Sequence, residues 1–481
     1  MNILFLLPDQ LRPDFLGCYG AQFMRTPHID ALCDGGVQYQ HAVSPTPICV
    51  PARASLLTGL NSIRHGVLEN YSWLRPDRAA CGLPSWPELL SDAGYHTASI
   101  GKMHFYPWDT SEGFAQRFIS EDKRHIYIHD DYAAYLEAHG LRKYHGNEHD
   151  RYFEDKGAII SKIPAEHQVD KWVADRTCDF LETYSGDKPF ALMVGFPGPH
   201  CPYDPPEEYA HLYRPEDMPD SIPATADSRL FRELVIAMTK RPWNQVDYTD
   251  FQEHHKRKIR AHYAGLVHQI DVQVGRIIAA LNASRFADDT LIVFASDHGD
   301  FLGDYDLIGK HLFYESAVRV PLIVKSPQVK ETRAIDDLVS LTDVSATLLD
   351  VAGQSFSARH DSIVLPGLDR PTPRSREVAL GATDLGLMIN TADWKLCRYK
   401  NGHVALYNLI DDPQEQHNLA YQPNALADLQ RMDALLQHSL LDSLMVNNGD
   451  KFVEKSRYQG RGEFGQFGWQ RPYPASLADR T

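Results

Sequence analysis

Asn2-Ile3-Leu4-Phe5-Leu6-Leu7-Pro8-Asp9 is a short apolar run that stops at an acidic residue, as a buried strand would. Leu291-Ile292-Val293-Phe294-Ala295 has the same construction and ends in Ser296-Asp297-His298-Gly299. Phe190 to Gly195, His96 to Ile100 and Pro321-Leu322-Ile323-Val324 read as further strands. Helix signals lie between them. Thr26-Pro27 and Ser85-Trp86-Pro87-Glu88 each place a capping hydroxyl ahead of a proline, and Gly94 stops the second helix. Lys258 to Leu281 carries apolar residues at helical spacing, and Thr342 to Val351 is also helical. Strands alternating with helices indicate an α/β domain built on a large, mainly parallel sheet sandwiched by helices. In such sheets function gathers at the carboxyl ends of the strands, where Asp9, the Pro197-Gly198-Pro199-His200 loop and Asp297-His298 all fall.

The pattern changes at about residue 375. Val378 to Leu380, Trp394 to Tyr399 and Val404 to Leu409 look like short antiparallel strands, followed by a helix over Leu426 to Leu444. Two parts are therefore expected. Residues 1–374 form the catalytic α/β domain, and residues 375–481 form a smaller C-terminal α+β subdomain with an aromatic, Gly-rich tail.

A chain of 481 residues can bury such a core, and its apolar fraction of 43% is that of a globular protein. Net charge is −16, so no basic face is expected for nucleic acid or an anionic membrane. No apolar run is long enough for a transmembrane helix, and the N-terminus lacks a basic leader. Seven scattered cysteines are not a disulfide framework. These features together lead us to expect a cytoplasmic protein.

A lone cysteine is usually a buried small hydrophobe. Cys49 has a more telling context, Pro47-Ile48-Cys49-Val50-Pro51-Ala52-Arg53-Ala54-Ser55-Leu56-Leu57-Thr58-Gly59. Pro51 marks the first turn of a helix, whose free amides and dipole stabilise an anion at Cys49. Arg53 adds a fixed cation, so the position suits a nucleophile.

This segment resembles the Cys-X-Pro-X-Arg hallmark of the type I sulfatases, in the alkaline phosphatase superfamily, whose cysteine is converted after translation to formylglycine. Further motifs follow in family order from about Asn2 to Leu419. They are Asp9-Gln10, Gly101-Lys102-Met103-His104, His200, Asp297-His298, Gly309-Lys310 and the Leu406-Tyr407-Asn408-Leu409 stretch. Gln10 stands where many members carry a second Asp, and His298 where many carry Asn. The resemblance is closest to the choline-sulfatase and phosphonate monoester hydrolase branch.

The resemblance implies an alkaline-phosphatase-like fold and a metal site of Asp9, Gln10, Asp297 and His298. Hard oxygens with one imidazole suit Ca²⁺ or Mn²⁺, with Mg²⁺ also open. It implies catalytic roles for Cys49, Arg53, Lys102, His104, His200 and Lys310. A hydroxyl of hydrated formylglycine attacks sulfur, His200 with Lys310 protonates the leaving alcohol, and His104 takes a proton as the second hydroxyl expels sulfate. Asn70 is a candidate substrate contact; as a turn residue it has an equally ordinary explanation. The implied partners are a small anionic sulfate ester and, during maturation, a formylglycine-generating enzyme. A homo-oligomer, dimer or tetramer, is expected.

Two other readings stay open. A phosphonate monoester or phosphodiester hydrolase would share the modified cysteine, but Lys102-Met103-His104 follows the sulfatase pattern. A non-catalytic binding protein requires Cys49 to remain a thiol. The His-rich stretch Arg124 to His149 is expected to cover the active-site face, and Trp73, Tyr106, Trp108 and Trp243 are candidates for its aromatic wall. Glu253 to Lys258 reads as a solvated helix start. Gly460 to Gly465 matches a dinucleotide motif without the required strand and helix.

Overall fold

Every residue of Asn2–Asp9 is buried, and its side chains divide by parity. Leu4 and Leu6 enter one apolar core, while Ile3, Phe5 and Leu7 enter another. Alternate residues of a strand face opposite sides of a sheet, so this strand is covered on both faces. The computed structural model describes residues 1–79, 83–356, 360–370 and 375–449. The Phe452–Pro474 tail, the Gly460–Gly465 motif and the expected boundary near 374 lie outside those residues.

The large sheet comprises β1 (Asn2–Asp9), β2 (Val37–Val43), β3 (His96–Gly101), β4 (Gln116–Ile119), β5 (Phe190–Pro199), β6 (Thr290–Ala295), β7 (Leu322–Lys325) and β8 (Arg333–Ser340). Their order is β4-β3-β5-β1-β6-β7-β2-β8. Leu4 pairs in parallel with Leu192 on one side and Ile292 on the other. Only β7 runs against its neighbours β6 and β2. The long helix Glu253–Ala283 and the helix Val169–Thr183 supply one core, through residues such as Ile270 and Val173. The helices Cys49–Thr58, Trp86–Asp92 and Thr342–Val351 supply the other, through Leu56, Trp86 and Leu348.

A second sheet is antiparallel, in the order β12-β11-β10-β9, with β9 at Ala379–Thr383, β10 at Gly386–Asn390, β11 at Trp394–Tyr399 and β12 at Val404–Asn408. Leu380, Ile389, Leu396 and Leu406 pack with Met432 and Leu436 of the helix Leu426–Gly449. Lys395 of β11 ties this unit to the large one. Its buried ammonium lies between Glu315, at 2.6 Å, and Glu415, at 2.8 Å.

The expected strands and helices are present, and the differences have local causes. β2, β4, β8 and β10 were not expected; of these, β4 and β8 are edge strands with half-exposed, polar sequences, so no apolar run announces them. Ser85 caps its helix through a reciprocal box with Glu88. Thr26 does not cap, because its hydroxyl accepts from Gly17 and donates to Asp30. The first amides of that helix, His28 and Ile29, donate instead to Asp271 at 3.0 and 2.7 Å. Among the described residues no helix is long and apolar enough to cross a membrane.

Candidate active site

Four neighbouring strands, β3-β5-β1-β6, deliver their carboxyl ends to one place. Asp9 ends β1, Lys102 and His104 follow β3, His200 follows β5, and Asp297-His298 follow β6. The pairing of β1 with β5 shifts register between Pro8 and Asp9, which bends the strand end. Gly101, at φ 91°, and Gly195 approach so closely that a Cβ on either would strike the other strand's backbone. That approach fixes the Lys102 carbonyl, which accepts Arg53 Nη1 at 2.6 Å.

Cys49 is the first residue of the helix Cys49–Thr58 and is buried. Asn70, expected at the substrate, accepts the Val50 amide through Oδ1 at 3.0 Å, and it also lines the cavity described below. Lys310 Nζ stands 3.0 Å from Cys49 Sγ and His298 Nε2 stands 3.2 Å from it. Burial and Asp9 push the thiol up, against the pull of Lys310 and Lys102. A thiolate is therefore not its resting form in this setting.

The carboxylates are divided between two tasks. Asp9 Oδ2 takes Lys102 Nζ at 2.8 Å and Arg53 Nη2 at 3.2 Å, and Asp297 Oδ2 takes Arg53 Nε at 2.9 Å. Asp9 Oδ1 and Asp297 Oδ1 turn toward His298 Nε2, at 3.9 and 3.8 Å. His298 Nδ1 donates to the Gly299 carbonyl at 2.9 Å, which leaves Nε2 with its lone pair facing the carboxylates. Burial holds this imidazole down to about 4, so it is neutral. Burial opposes ionisation of Asp9 as well, but Lys102, Arg53 and Lys310 hold it well below the usual carboxylate range. One ligand atom each from Asp9, Cys49, Asp297 and His298 lies within 4.8 Å of the others. Two carboxylate oxygens and a neutral, oriented imidazole fit one hard divalent cation.

Gln10 is adjacent but differently engaged. Its amide oxygen accepts Lys310 Nζ at 2.5 Å and its amide nitrogen donates to Asp300. Asp300, to which the sequence assigned no role, also accepts Tyr203 Oη at 2.7 Å and anchors this corner. Lys310 further donates to His200 Nε2 at 2.9 Å, while His200 Nδ1 donates to the Cys201 carbonyl at 2.7 Å.

Two adjacent carboxylates that no motif marks, Glu121 and Asp122, hold the Lys102–His104 segment. Asp122 Oδ2 accepts Lys102 Nζ at 2.8 Å. Both oxygens of Glu121 face the amide of His104, at 3.1 and 3.3 Å, and so hold that residue at φ 60°. Their role arises from contacts made across a loop, which no local pattern records. His104 is buried and its Nδ1 has no partner among the described residues; burial and Lys102 hold it well below its ordinary value.

Lys310 and His104 also line a cavity of about 720 Å³. Arg124, His125 and Tyr127, from the His-rich stretch, form part of its wall, as expected. So do Tyr106, Trp108 and Trp243. Trp73 does not; it packs on Phe105 and donates to Glu112. Asp384 and Leu385, in the turn between β9 and β10, carry the second sheet into this wall.

Residues 1–354 match the family model described as Sulfatase. An arylsulfatase of Clostridium perfringens (strain 13 / Type A) is 29% identical over 455 residues, spanning 87% of this chain and 90% of that one. A choline-sulfatase of Rhizobium meliloti (strain 1021) is 30% identical over 453 residues, spanning 89% and 84%. A solved phosphonate monoester hydrolase of Agrobacterium radiobacter superposes with a TM-score of 0.77 at 23% identity, over 92% and 95% of the two chains, a likeness of fold.

Proposed function

The chain belongs to the sulfatase family, and from that premise we propose that it hydrolyses a sulfate monoester using one divalent metal and a formylglycine made from Cys49. The observation that carries the reading is the convergence of Asp9, Asp297, His298, Lys310 and Arg53 around Cys49. The family relation supports sulfuric ester hydrolysis. The formylglycine and the kind of metal are our inference from the site.

Asp9 Oδ1, Asp297 Oδ1 and His298 Nε2 would hold the metal, with the Gln10 amide oxygen as a fourth candidate. When bound it supplies Lewis acidity toward a sulfate oxygen and toward the nucleophile. A buried, neutral thiol is a poor nucleophile and offers a sulfated intermediate no route of release. An aldehyde hydrate at position 49 supplies one hydroxyl for attack and a second for expulsion of sulfate. Pro51 and Arg53 are the motif positions a formylglycine-generating enzyme would read.

The remaining work falls to this chain's own side chains. Arg53 and Lys102 hold the outer carboxylate oxygens and so orient the inner ones. Lys102 and Lys310 offset the negative charge of the sulfuryl group. His200 accepts from Lys310 at Nε2, so the proton available to a leaving alcohol resides on Lys310, and the two act as one unit. To His104, whose buried Nδ1 has no partner among the described residues, we assign the proton taken up at sulfate release. Lys102, buried between Asp9 and Asp122, belongs to the Lys102-Met103-His104 segment that resembles the sulfatase pattern, which supports sulfate over phosphonate esters.

Two measurements test this. Peptide mass spectrometry of the natively produced protein should show the thiol-to-aldehyde mass loss at Cys49. Catalytic efficiency should be greater on an aryl sulfate than on an aryl phosphonate ester. A chain that is entirely thiol, or that prefers the phosphonate ester, overturns the proposal.

A further inference from the structure

Asp122 joins the reacting centre to the cavity wall. Its Oδ2 holds Lys102 Nζ at 2.8 Å and, on the same oxygen, Arg124 Nη2 at 2.7 Å. Its Oδ1 holds Arg124 Nε at 2.8 Å and the Arg124 amide at 2.9 Å. Two cations thus converge on one carboxylate oxygen, and one of them, Lys102, also reaches Asp9 beside Cys49.

A guanidinium has two edges that can each grip a pair of oxygens. Asp122 occupies the Nε/Nη2 edge of Arg124. Nη1, on the other edge, has no partner among the described residues, although the side chain is only 10% exposed and lines the cavity with Lys310 and His104. Trp243 covers its face, with Cζ 4.6 Å from the ring centre. That tryptophan is therefore engaged by the protein's own cation. Asp122, whose burial would favour protonation, is held well below the usual carboxylate range by Arg124 and Lys102, so all three groups are charged. Arg124 also acts electrostatically on both His200 and Cys49.

A largely covered arginine, fixed on one edge, stacked on one face and with no partner for Nη1 among the described residues, is built to receive an oxyanion. Resting on the Sulfatase reading above, we propose that Arg124 is a further substrate-binding residue, whose free edge grips an oxygen of the sulfuryl group alongside Lys102. Arg124 and Lys102 share Asp122 Oδ2, so the two cations stand beside each other on one carboxylate oxygen. Asp122 then positions both, and the first residues of the His-rich stretch belong to the sulfate pocket as well as to its cover.

The probe is inorganic sulfate, titrated calorimetrically into the metal-loaded protein, because binding of this product-like anion is read without turnover. Arg124→Met should weaken sulfate binding by about tenfold or more, the scale of one charge-assisted contact. Guanidinium added to Arg124→Gly should restore part of the affinity, which a purely structural loss would not allow. Arg124→Lys keeps a charge against Asp122 but loses the second edge; it should bind sulfate more than twofold more weakly while keeping the wild-type melting temperature. It decides the matter if the Met and Gly variants do not fold. A change of twofold or less in Arg124→Lys, or in a folded Arg124→Met, overturns the proposal. Wild-type protein that binds sulfate through Arg124 but hydrolyses no sulfate ester would instead count against the function, leaving the binding role intact.

Discussion

Lys310 Nζ donates to His200 Nε2 at 2.9 Å, and His200 has already committed its other nitrogen to the Cys201 carbonyl. Burial and the charges of Arg124 and Lys310 hold His200 well below its ordinary value, so the imidazole is neutral and the mobile proton sits on the lysine. The pair has one proton to give, which makes its two members non-additive.

His200→Ala and Lys310→Ala should each slow hydrolysis of aryl sulfates with poor leaving groups by about 10²–10⁴-fold, the usual scale of general acid catalysis. The double variant should be little worse than the worse single one. Rates across a series of phenols of rising pKa check this, and fully multiplicative losses would show two independent acids.

Arg53 bridges Asp9 and Asp297 from inside the protein, with 1% of its side chain exposed. Arg53→Met leaves two buried carboxylates without their cation, a loss of about 3–5 kcal/mol for a broken buried pair. The destabilisation should be larger in metal-free protein than with metal bound, because a bound cation replaces part of the missing charge. Urea unfolding with and without a chelator measures the difference. Equal losses in both states would place Arg53 outside the metal's field.

Asp271 gives a pH dependence with a definite sign. Burial pushes its carboxyl up to about 7, against the hydrogen bonds from Ile29 and His28. The folded value exceeds the unfolded one of about 3.9, so the stabilisation is complete below about pH 4 and is lost as pH rises through 7. Asp271→Asn keeps an oxygen for the two amides and removes the titration. Wild-type stability should fall relative to this variant between pH 4 and 7, by at most about 1.4 kcal/mol per pH unit. Parallel pH profiles in denaturant titrations would disprove the assignment.

Lys395 is wholly buried between Glu315 and Glu415, which outweigh the effect of burial and keep it charged. Lys395→Met should cost about 3–5 kcal/mol by leaving two acids facing each other. The melting temperature should fall while kcat measured well below it stays within a few-fold, since Lys395 touches none of the site residues. A large loss of kcat in folded protein would mean that the join between the two sheets also sets the site's geometry.

The parts of this molecule that are legible in its sequence are those whose causes are local. β1 and β6 show themselves because both faces are buried, so no charged residue interrupts either run before Asp9 and Asp297. Cys49 stands out because proline and arginine at fixed spacing mark a helix start. β8, with the sequence Arg333-Ala-Ile-Asp-Asp-Leu-Val-Ser340, is invisible because an edge strand must be polar on its open side. Thr26 has the form of a cap, yet Asp271, more than two hundred residues away, does that work. Asp122 follows no motif; it matters only because folding brings Lys102 and Arg124 to the same oxygen. Long-range partners of this kind are what the sequence leaves unread.

The turn at Asp384 and Leu385 reaches the cavity from a different sheet than the one that carries Asp9, Lys102 and Asp297. Part of the cavity wall is thereby written in a tract of the chain separate from the one that carries the ionic framework around Cys49. A short hairpin, anchored by its own hydrogen-bond ladder, tolerates exchange of its tip far better than a strand end crowded with buried ion pairs. Selection, or a library confined to those two positions, could retune which alcohols enter without disturbing the ionic framework that cleaves them.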